Sequence, residues 1–430
     1  MNGRTSYLVA ALLLAAASPA RATNGMRMIG FGSSQVAMGG VSVALPLDAA
    51  SVITNPAGIT ALGGRVDFGA SFFSPSVAYS AQEVPGLPQP GMAVQSTARF
   101  GSSRDGSPVP AFGLVVPLGD RLSLGVGAYG IAGMGVDYAQ NLYGGVTYSS
   151  YSQMRFAPAL AYRLNDLVSV GVTANVMYAT MGYDAAEGLL QVSHQAASAF
   201  GIGATLGVRV TPMKGLAFGA AYETKSCFQD FVYNVRAHQP LNPQTGMPMV
   251  DANGQPVVLP AGQDRITFDQ PSSATVGVAV SPTERLTLAA DVQWIHWKES
   301  NGQNAPAYTS DITKTGAMPW NLNWEDQWVF KIGAQYRVME RLALRAGYNY
   351  GKMPLDPSRA FENIAFPAIA EHHITAGVGI DLTDRLGINL AAMYVPEAKL
   401  VGSNPEKQYI ASYQTTMSQY ALDAAVAYRF

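Results

Sequence analysis

Residues 168–178 read Val168-Ser169-Val170-Gly171-Val172-Thr173-Ala174-Asn175-Val176-Met177-Tyr178. Val168, Val170, Val172, Ala174, Val176 and Tyr178 share one parity; Ser169, Gly171, Thr173, Asn175 and Met177 share the other. A period of two places each set on one face of a strand. The first face is apolar and ends in an aromatic, and the second is small or polar. Leu286, Leu288, Ala290, Val292 and Trp294 repeat this against Thr287, Ala289, Asp291 and Gln293. So do Leu342, Leu344, Ala346, Tyr348 and Tyr350 against Ala343, Arg345, Gly347 and Asn349. An apolar exterior with an aromatic rim and a small or polar interior marks a transmembrane β-barrel. Lipid leaves no partner for a free backbone group, so such a sheet must close. A soluble sandwich alternates too, but its outward face meets water and is charged. Neither face here carries that charge.

Each such run follows a short polar turn: Gly119-Asp120-Arg121-Leu122, Asn165-Asp166-Leu167, Met213-Lys214-Gly215-Leu216, Thr283-Glu284-Arg285-Leu286, Met339-Glu340-Arg341-Leu342 and Thr383-Asp384-Arg385-Leu386. A strand-like run precedes each turn, so each marks the tight end of a hairpin. Six turns join twelve strands; one more near Val66–Ser80 and one near Met417–Phe430 make fourteen. The expected fold is all-β: a 14-stranded antiparallel transmembrane β-barrel. The opposite connections are longer, about 131–151, 184–198, 236–263, 301–323, 353–370 and 397–416. Short periplasmic turns and longer outer loops suit a barrel of the outer membrane. The last strand alternates through Tyr420, Leu422, Ala424, Val426 and Tyr428 to Phe430. That ending resembles the signal read by the barrel-assembly machinery, one expected partner.

Composition agrees. Charged residues are 13% of the 430, where soluble domains carry about 25%, and glycine numbers 44. The mean hydropathy of +0.09 is too low for helical spans of about 20 apolar residues. A net charge of −2 gives no bulk signal for nucleic acid. The single cysteine, Cys227, rules out an internal disulfide and reads as a small buried or lipid-facing residue. Residues 1–22 read as a secretory signal peptide: Arg4, an apolar core from Leu8 to Ala17, and Ala20-Arg21-Ala22 as the cleavage pattern. The expected location is the outer membrane of a Gram-negative bacterium.

Residues 23–65 precede the first strand and carry only Arg27, Asp48 and Arg65 as charges. So weakly charged a segment would not stay solvated. Fourteen strands enclose a lumen wider than side chains fill. The segment is therefore expected to plug it, with the barrel at 66–430.

The run Gly30-Phe31-Gly32-Ser33-Ser34-Gln35-Val36-Ala37-Met38-Gly39-Gly40-Val41, then Asp48 to Gly58, resembles the N-terminal hatch of the FadL/TodX (OMPP1) family. Trp324-Glu325-Asp326-Gln327-Trp328, Lys331 to Arg337, and Leu344 to Tyr348 resemble its late-strand signatures. The resemblance implies passive outer-membrane transport of long-chain fatty acids or aromatic hydrocarbons. It implies capture at outer loops, a pocket above the hatch, and lateral release through a kinked third strand. It makes Asn55, Pro56 and Ala57 the hatch motif. The third strand, Arg121 to Ile131, holds Gly125, Gly127 and Gly130, and strand glycines often mark bends. The kink is expected there. Gly125-x-Gly127-x-x-Gly130 also fits a dinucleotide fingerprint, but no helix follows it.

Apolar residues in the expected outer loops are candidates for capture: Ile131, Met134, Leu142 and Tyr143; Leu189, Leu190 and Phe200; Phe361, Ile364, Phe366 and Ile369. Their alternative role is to pack loop on loop. Lumen-side Asp291, Arg345, Asp423 and Arg429 are expected to form ion pairs; their alternative is to bind a carboxylate head. In Glu371-His372-His373, neighbours point to opposite faces, so no shared metal is expected, and no cofactor. The expected partners are hydrophobic small molecules and outer-membrane lipid, with no nucleic acid and a monomeric barrel. No nucleophile motif such as G-x-S-x-G is present, so no enzyme is expected. The competing functions are a general porin, which needs no plug, and an adhesin or receptor.

Overall fold

Each of the six turn sequences closes a hairpin in the computed structural model of the chain. It describes residues 24–83, 99–104, 106–138, 147–185, 192–239, 247–312, 314–319, 321–360, 362–402 and 410–430. The strands of the wall are β1 (Arg65–Glu83), β2 (Ser107–Leu118), β3 (Leu122–Tyr138), β4 (Thr147–Arg163), β5 (Val168–Ala185), β6 (Val192–Met213) and β7 (Leu216–Glu223). The other half is β8 (Ser273–Val280), β9 (Leu286–Ile295), β10 (Gln327–Met339), β11 (Leu342–Gly351), β12 (His372–Asp381), β13 (Leu386–Gly402) and β14 (Ile410–Arg429). Each pairs antiparallel with its neighbours in order. β1 closes the ring, pairing Arg65 with Arg429 of β14 and Arg65 with Val115 of β2. The barrel is all-β, antiparallel and 14-stranded. Gly119 (φ +74°) and Gly215 (φ +82°) take the left-handed backbone that two of the tight turns require.

Side chains follow the sequence parity. On β5, Val172 and Val176 are each 43% exposed, whereas Thr173 and Asn175 are buried. The strands run further than the sequence reading placed them. β3 continues to Tyr138, β13 to Gly402, and β14 starts at Ile410. Ile131 and Met134 are therefore residues of the wall rather than of a loop. Phe200 lies on β6 and points outward, 56% exposed. A separate four-stranded sheet joins Phe231–Val235, Gly262–Thr267, Ala307–Ser310 and Thr315–Pro319. Its strands are only four to six residues long. They come from two different connections, and runs that short carry too little periodicity to be seen in sequence.

Residues 24–64 lie inside the barrel, where most are buried. They form α1 (Ser33–Ala37), α2 (Ser51–Thr54) and a 3-10 turn at Pro56–Ala61. The inner-face glycines make the seat. Gly171 faces Gly207, Gly219 faces Gly277, and Gly333 faces Gly347 across adjacent strands. A Cβ on Gly207 would sit 2.0 Å from Asn55 Oδ1, on Gly219 2.0 Å from the Val43 carbonyl, and on Gly347 2.1 Å from the Gly39 nitrogen. Backbone meets backbone at this level, so any side chain on these glycines would push the segment off the wall.

Polar bolts complete the seat. Asp291 accepts from the amides of Ser42 (2.8 Å) and Val43 (3.1 Å), and Asp67 from Ala49 (2.7 Å). Thr173 donates to the Val52 carbonyl (2.6 Å) and Asn349 to that of Gly39 (3.3 Å). These bonds satisfy buried backbone groups of the plug.

Candidate functional site

Among the described residues, the pairing between β2 and β3 stops part-way up the wall. β2 and β3 pair from Leu118–Leu122 up to Ala111–Tyr129 and no further. β2 goes on pairing with β1 as far as Ser107, and β3 with β4 as far as Tyr138. Beyond Tyr129 the two strands part company. The β3–β4 register also slips between Gly130 and Ala132, the mark of a bulge that bends a strand. Pro108 and Pro110 lie on the β2 side, and proline is confined to edges and bulges. Gly125 and Gly127 are regularly paired. Their missing side chains instead leave room for Val52 and for the ring of Tyr129. Of the three glycines expected at the kink, only Gly130 stands at the irregularity.

Inside the break, the start of the plug takes the place of a wall strand. Arg27 bridges to Ala132, the Met28 amide donates to Ile131 (3.2 Å), and the Gly133 amide donates to Met26 (3.1 Å). Ile131 and Met134 turn inward into the same apolar core as Tyr151, Phe231, Phe268, Trp297 and Phe366. Tyr151 and Phe268 lie 5.0 Å apart, and Phe268 and Phe366 6.3 Å. The lumen above the plug is thus lined by aromatic carbon.

Two cavities flank this segment, and Met28 and Phe31 line both. The first is basic. Glu223, at the end of β7, binds both Arg27 and Arg155 of β4. Arg27 and Lys331 line the cavity with Glu223, Thr205, Thr275 and Gln293. Arg27 Nη1 and Arg155 Nε and Nη1 are buried without a hydrogen-bond partner. Donors left over in a buried cluster favour an acceptor placed among them.

The second cavity is acidic. It lies at the foot of the break, between the plug and β1, β2, β3, β13 and β14. Asp48, Asp67 and Asp423 line it, and no Lys, Arg or His does among the described residues. Arg65 neutralises Asp67 at 2.8 Å. Asp48 Oδ1 accepts from Gln35 Nε2 (3.1 Å) and the Ala50 amide (3.2 Å). Burial, helped by the nearby Asp67 charge, pushes the Asp48 carboxyl up to about 6.

The predicted residues divide. Asn55 is fully buried; its amide donates to the carbonyls of Val43 (2.6 Å) and Val208 (3.0 Å), and its oxygen accepts from Ala57 (3.1 Å). It caps the 3-10 turn that Pro56 opens and ties the plug to β6. Phe366, Ile364 and Ile369 are buried, folded in rather than offered to water. Leu142, Tyr143, Leu189, Leu190, Phe361 and residues 1–22 lie outside the described residues. Asp291 bolts the plug, Arg345 bonds Gln335 and Asn389, and Arg429 pairs with Asp381. His372 is exposed while His373 is buried, on opposite faces as their adjacency dictates. Cys227 is exposed. The sequence reading missed Arg27, Arg155, Glu223 and Lys331. A signal was present: Arg155 shares the inner parity of Gln153, Ala157 and Ala159, where a charge is out of place.

The model of the family described as "Outer membrane protein transport protein (OMPP1/FadL/TodX)" matches residues 12–430. The chain belongs to this family. The family consists of outer-membrane transport channels, not enzymes. Outer membrane protein P1 of Haemophilus influenzae is 23% identical over 332 residues, 69% of this chain and 67% of that one. The toluene transporter TodX of P. putida superposes with a TM-score of 0.74 at 20% identity, covering 93% of this chain and 99% of its own. A Pseudomonas aeruginosa FadL homologue gives 0.71 at 16%, covering 94% and 100%. The Ralstonia pickettii toluene transporter TbuX gives 0.66 at 19%, covering 93% and 98%. The protein is thus an outer-membrane β-barrel of a family that carries hydrophobic compounds.

Proposed function

We propose that the barrel moves hydrophobic molecules passively from the cell exterior into the outer leaflet. They enter the aromatic upper lumen, pass the segment around Met28–Phe31, and leave sideways between β2 and β3 beside Gly130. The observation that carries this reading is the loss of β2–β3 pairing above Ala111–Tyr129. Burying an apolar chain stabilises it by about 0.8 kcal/mol per CH₂, so an apolar path captures the solute from water. A sideways exit never returns it to water, and diffusion alone drives the step.

A general porin is disfavoured because the plug meets the wall backbone to backbone at the glycine seat, where an open pore needs a water path.

A staple across the break tests the route. A Cβ built on Gly130 lies 3.7 Å from Val109 Cβ, within the about 3.5–4.5 Å that a disulfide spans. The double variant Val109→Cys/Gly130→Cys, in a Cys227→Ser background, is expressed in a strain lacking the gene. Uptake of labelled toluene and oleate is expected to fall at least tenfold when oxidised and to recover on reduction. Equal uptake in both states, with the disulfide verified, overturns the lateral route.

A further inference from the structure

The acidic cavity at the foot of the break has chemistry that the transport reading leaves unused. Asp423 comes from β14, Asp48 from the plug and Tyr129 from β3. Asp423 Oδ2 and the Tyr129 hydroxyl are buried without a hydrogen-bond partner. Both residues are more than nine-tenths buried, at 8% and 2% exposure. Ser71 lines the cavity beside them, facing Asp423 across the β1–β14 ladder. A buried acceptor with nothing donating to it is costly, and an apolar solute alone does not relieve that cost.

We infer that this cavity is a head-group subsite for hydrophobic molecules that carry a hydrogen-bond donor, an alcohol, phenol or alkylammonium, and that it disfavours carboxylates. The inference rests on the lateral route proposed above and names the substrate chemistry that route prefers. Three features argue for it. The lining offers carboxylate acceptors and no cation among the described residues, so a donor is attracted and a second carboxylate is repelled. The cavity is about 30 Å³, room for a hydroxyl or ammonium but not a ring. Val109, Pro110 and Gly130 form its upper edge, so the tail extends through the break into lipid while the head stays behind. A carboxylate finds its partners on the other side of Met28 and Phe31, in the basic cavity.

Asp48 supports the same sign. It loses its proton near pH 6, so at pH 8 the lining gains negative charge and excludes a carboxylate more strongly.

Four probes sharing one tail test this: decane, decanol, decylamine and decanoate, competing at pH 8 against a fluorescent apolar reporter on the purified full-length protein in detergent. Decanol and decylamine are expected to bind at least tenfold tighter than decane, and decanoate more weakly than decanol. Asp423→Asn combined with Tyr129→Phe is expected to cut the alcohol and amine preference over decane at least fivefold. Its heat-modifiable migration in unboiled gels verifies that the barrel is folded. Equal binding of all four probes by the wild type overturns the subsite, with ordered water as its only occupant. Decanoate binding best also overturns it, in favour of the basic cavity. If the wild-type gene adds no uptake of either toluene or oleate to a strain lacking it, the transport reading itself fails, whatever the head-group order.

Discussion

The two cavities beside Met28–Phe31 share that wall and differ in sign. On one side Arg27 and Lys331 face Glu223, which Arg155 also binds from behind; on the other Asp48 and Asp423 face no lining cation among the described residues. The plug contributes Arg27 to one and Asp48 to the other, and the strands supply the rest. A single short segment thus separates an acceptor-seeking space from a donor-seeking one. The lesson is that polarity in this lumen is set by which strand faces which turn of the plug, since no local run of charge marks either side.

The basic side is the easier to break. Glu223→Gln leaves Arg27 and Arg155 buried without their carboxylate, and removing one partner of such a cluster costs about 3–5 kcal/mol. A matching drop is expected in urea stability, followed by the loss of heat-modifiable migration. The seat beneath both cavities comes next. Asn55→Ala strands the Val43 and Val208 carbonyls and uncaps the 3-10 turn, at a cost of about 2–3 kcal/mol. Limited proteolysis should then cut within 24–64 while the barrel survives.

The acidic side responds to pH. The Asp48 carboxyl titrates at about 6 in the fold against 3.8 unfolded. The folded state therefore keeps a proton that the unfolded chain has released. Its contribution is full below pH 3.8 and is lost as pH rises to about 6, beyond which stability is level. Asp48→Asn removes that decline, so it should be more stable than wild type by about 3 kcal/mol at pH 8 and nearly equal at pH 4. Urea melts at the two pH values measure it, and an identical pH slope in the variant refutes it. The smallest effect is reserved for the outside. Phe200→Ala exchanges one lipid contact for another and should change stability by less than about 1 kcal/mol, with uptake unchanged. A large loss of uptake would move capture to the outer wall and collapse the contrast between the two cavities.

Much of the fold was legible because lipid imposes a strict rule on strands. Val172 and Thr173 could be assigned to opposite faces from their parity alone, and Gly119 and Gly215 announced their turns. Asn55-Pro56-Ala57 was legible for a different reason, through the family resemblance, and the structure shows what it does locally: Asn55 caps the 3-10 turn that Pro56 opens. Legibility failed where partners are distant. Glu223 is 196 residues from Arg27 and 68 from Arg155, so no spacing points to the cluster. Asp291 read as an ion-pair or head-group residue because its inward face was known and its occupant, the amides of Ser42 and Val43, was not. Ile131 and Met134 read as loop because their periodicity fades at the bulge, where the strand turns inward instead of ending.

What the sequence determined by itself was the set of faces: alternation, turns, low charge and an apolar N-terminal segment suffice to require a closed barrel with something in it. Those features are local, or they follow from the demand that every backbone group in lipid be paired. The tertiary structure alone decided where pairing stops, at Ala111 and Tyr129, and which charges gather on either side of Met28–Phe31. Both depend on strands far apart in the chain meeting around a common plug. The 44 glycines include the inner-face set that lets this happen. Their absent side chains say only that something comes close, and the fold supplies what it is.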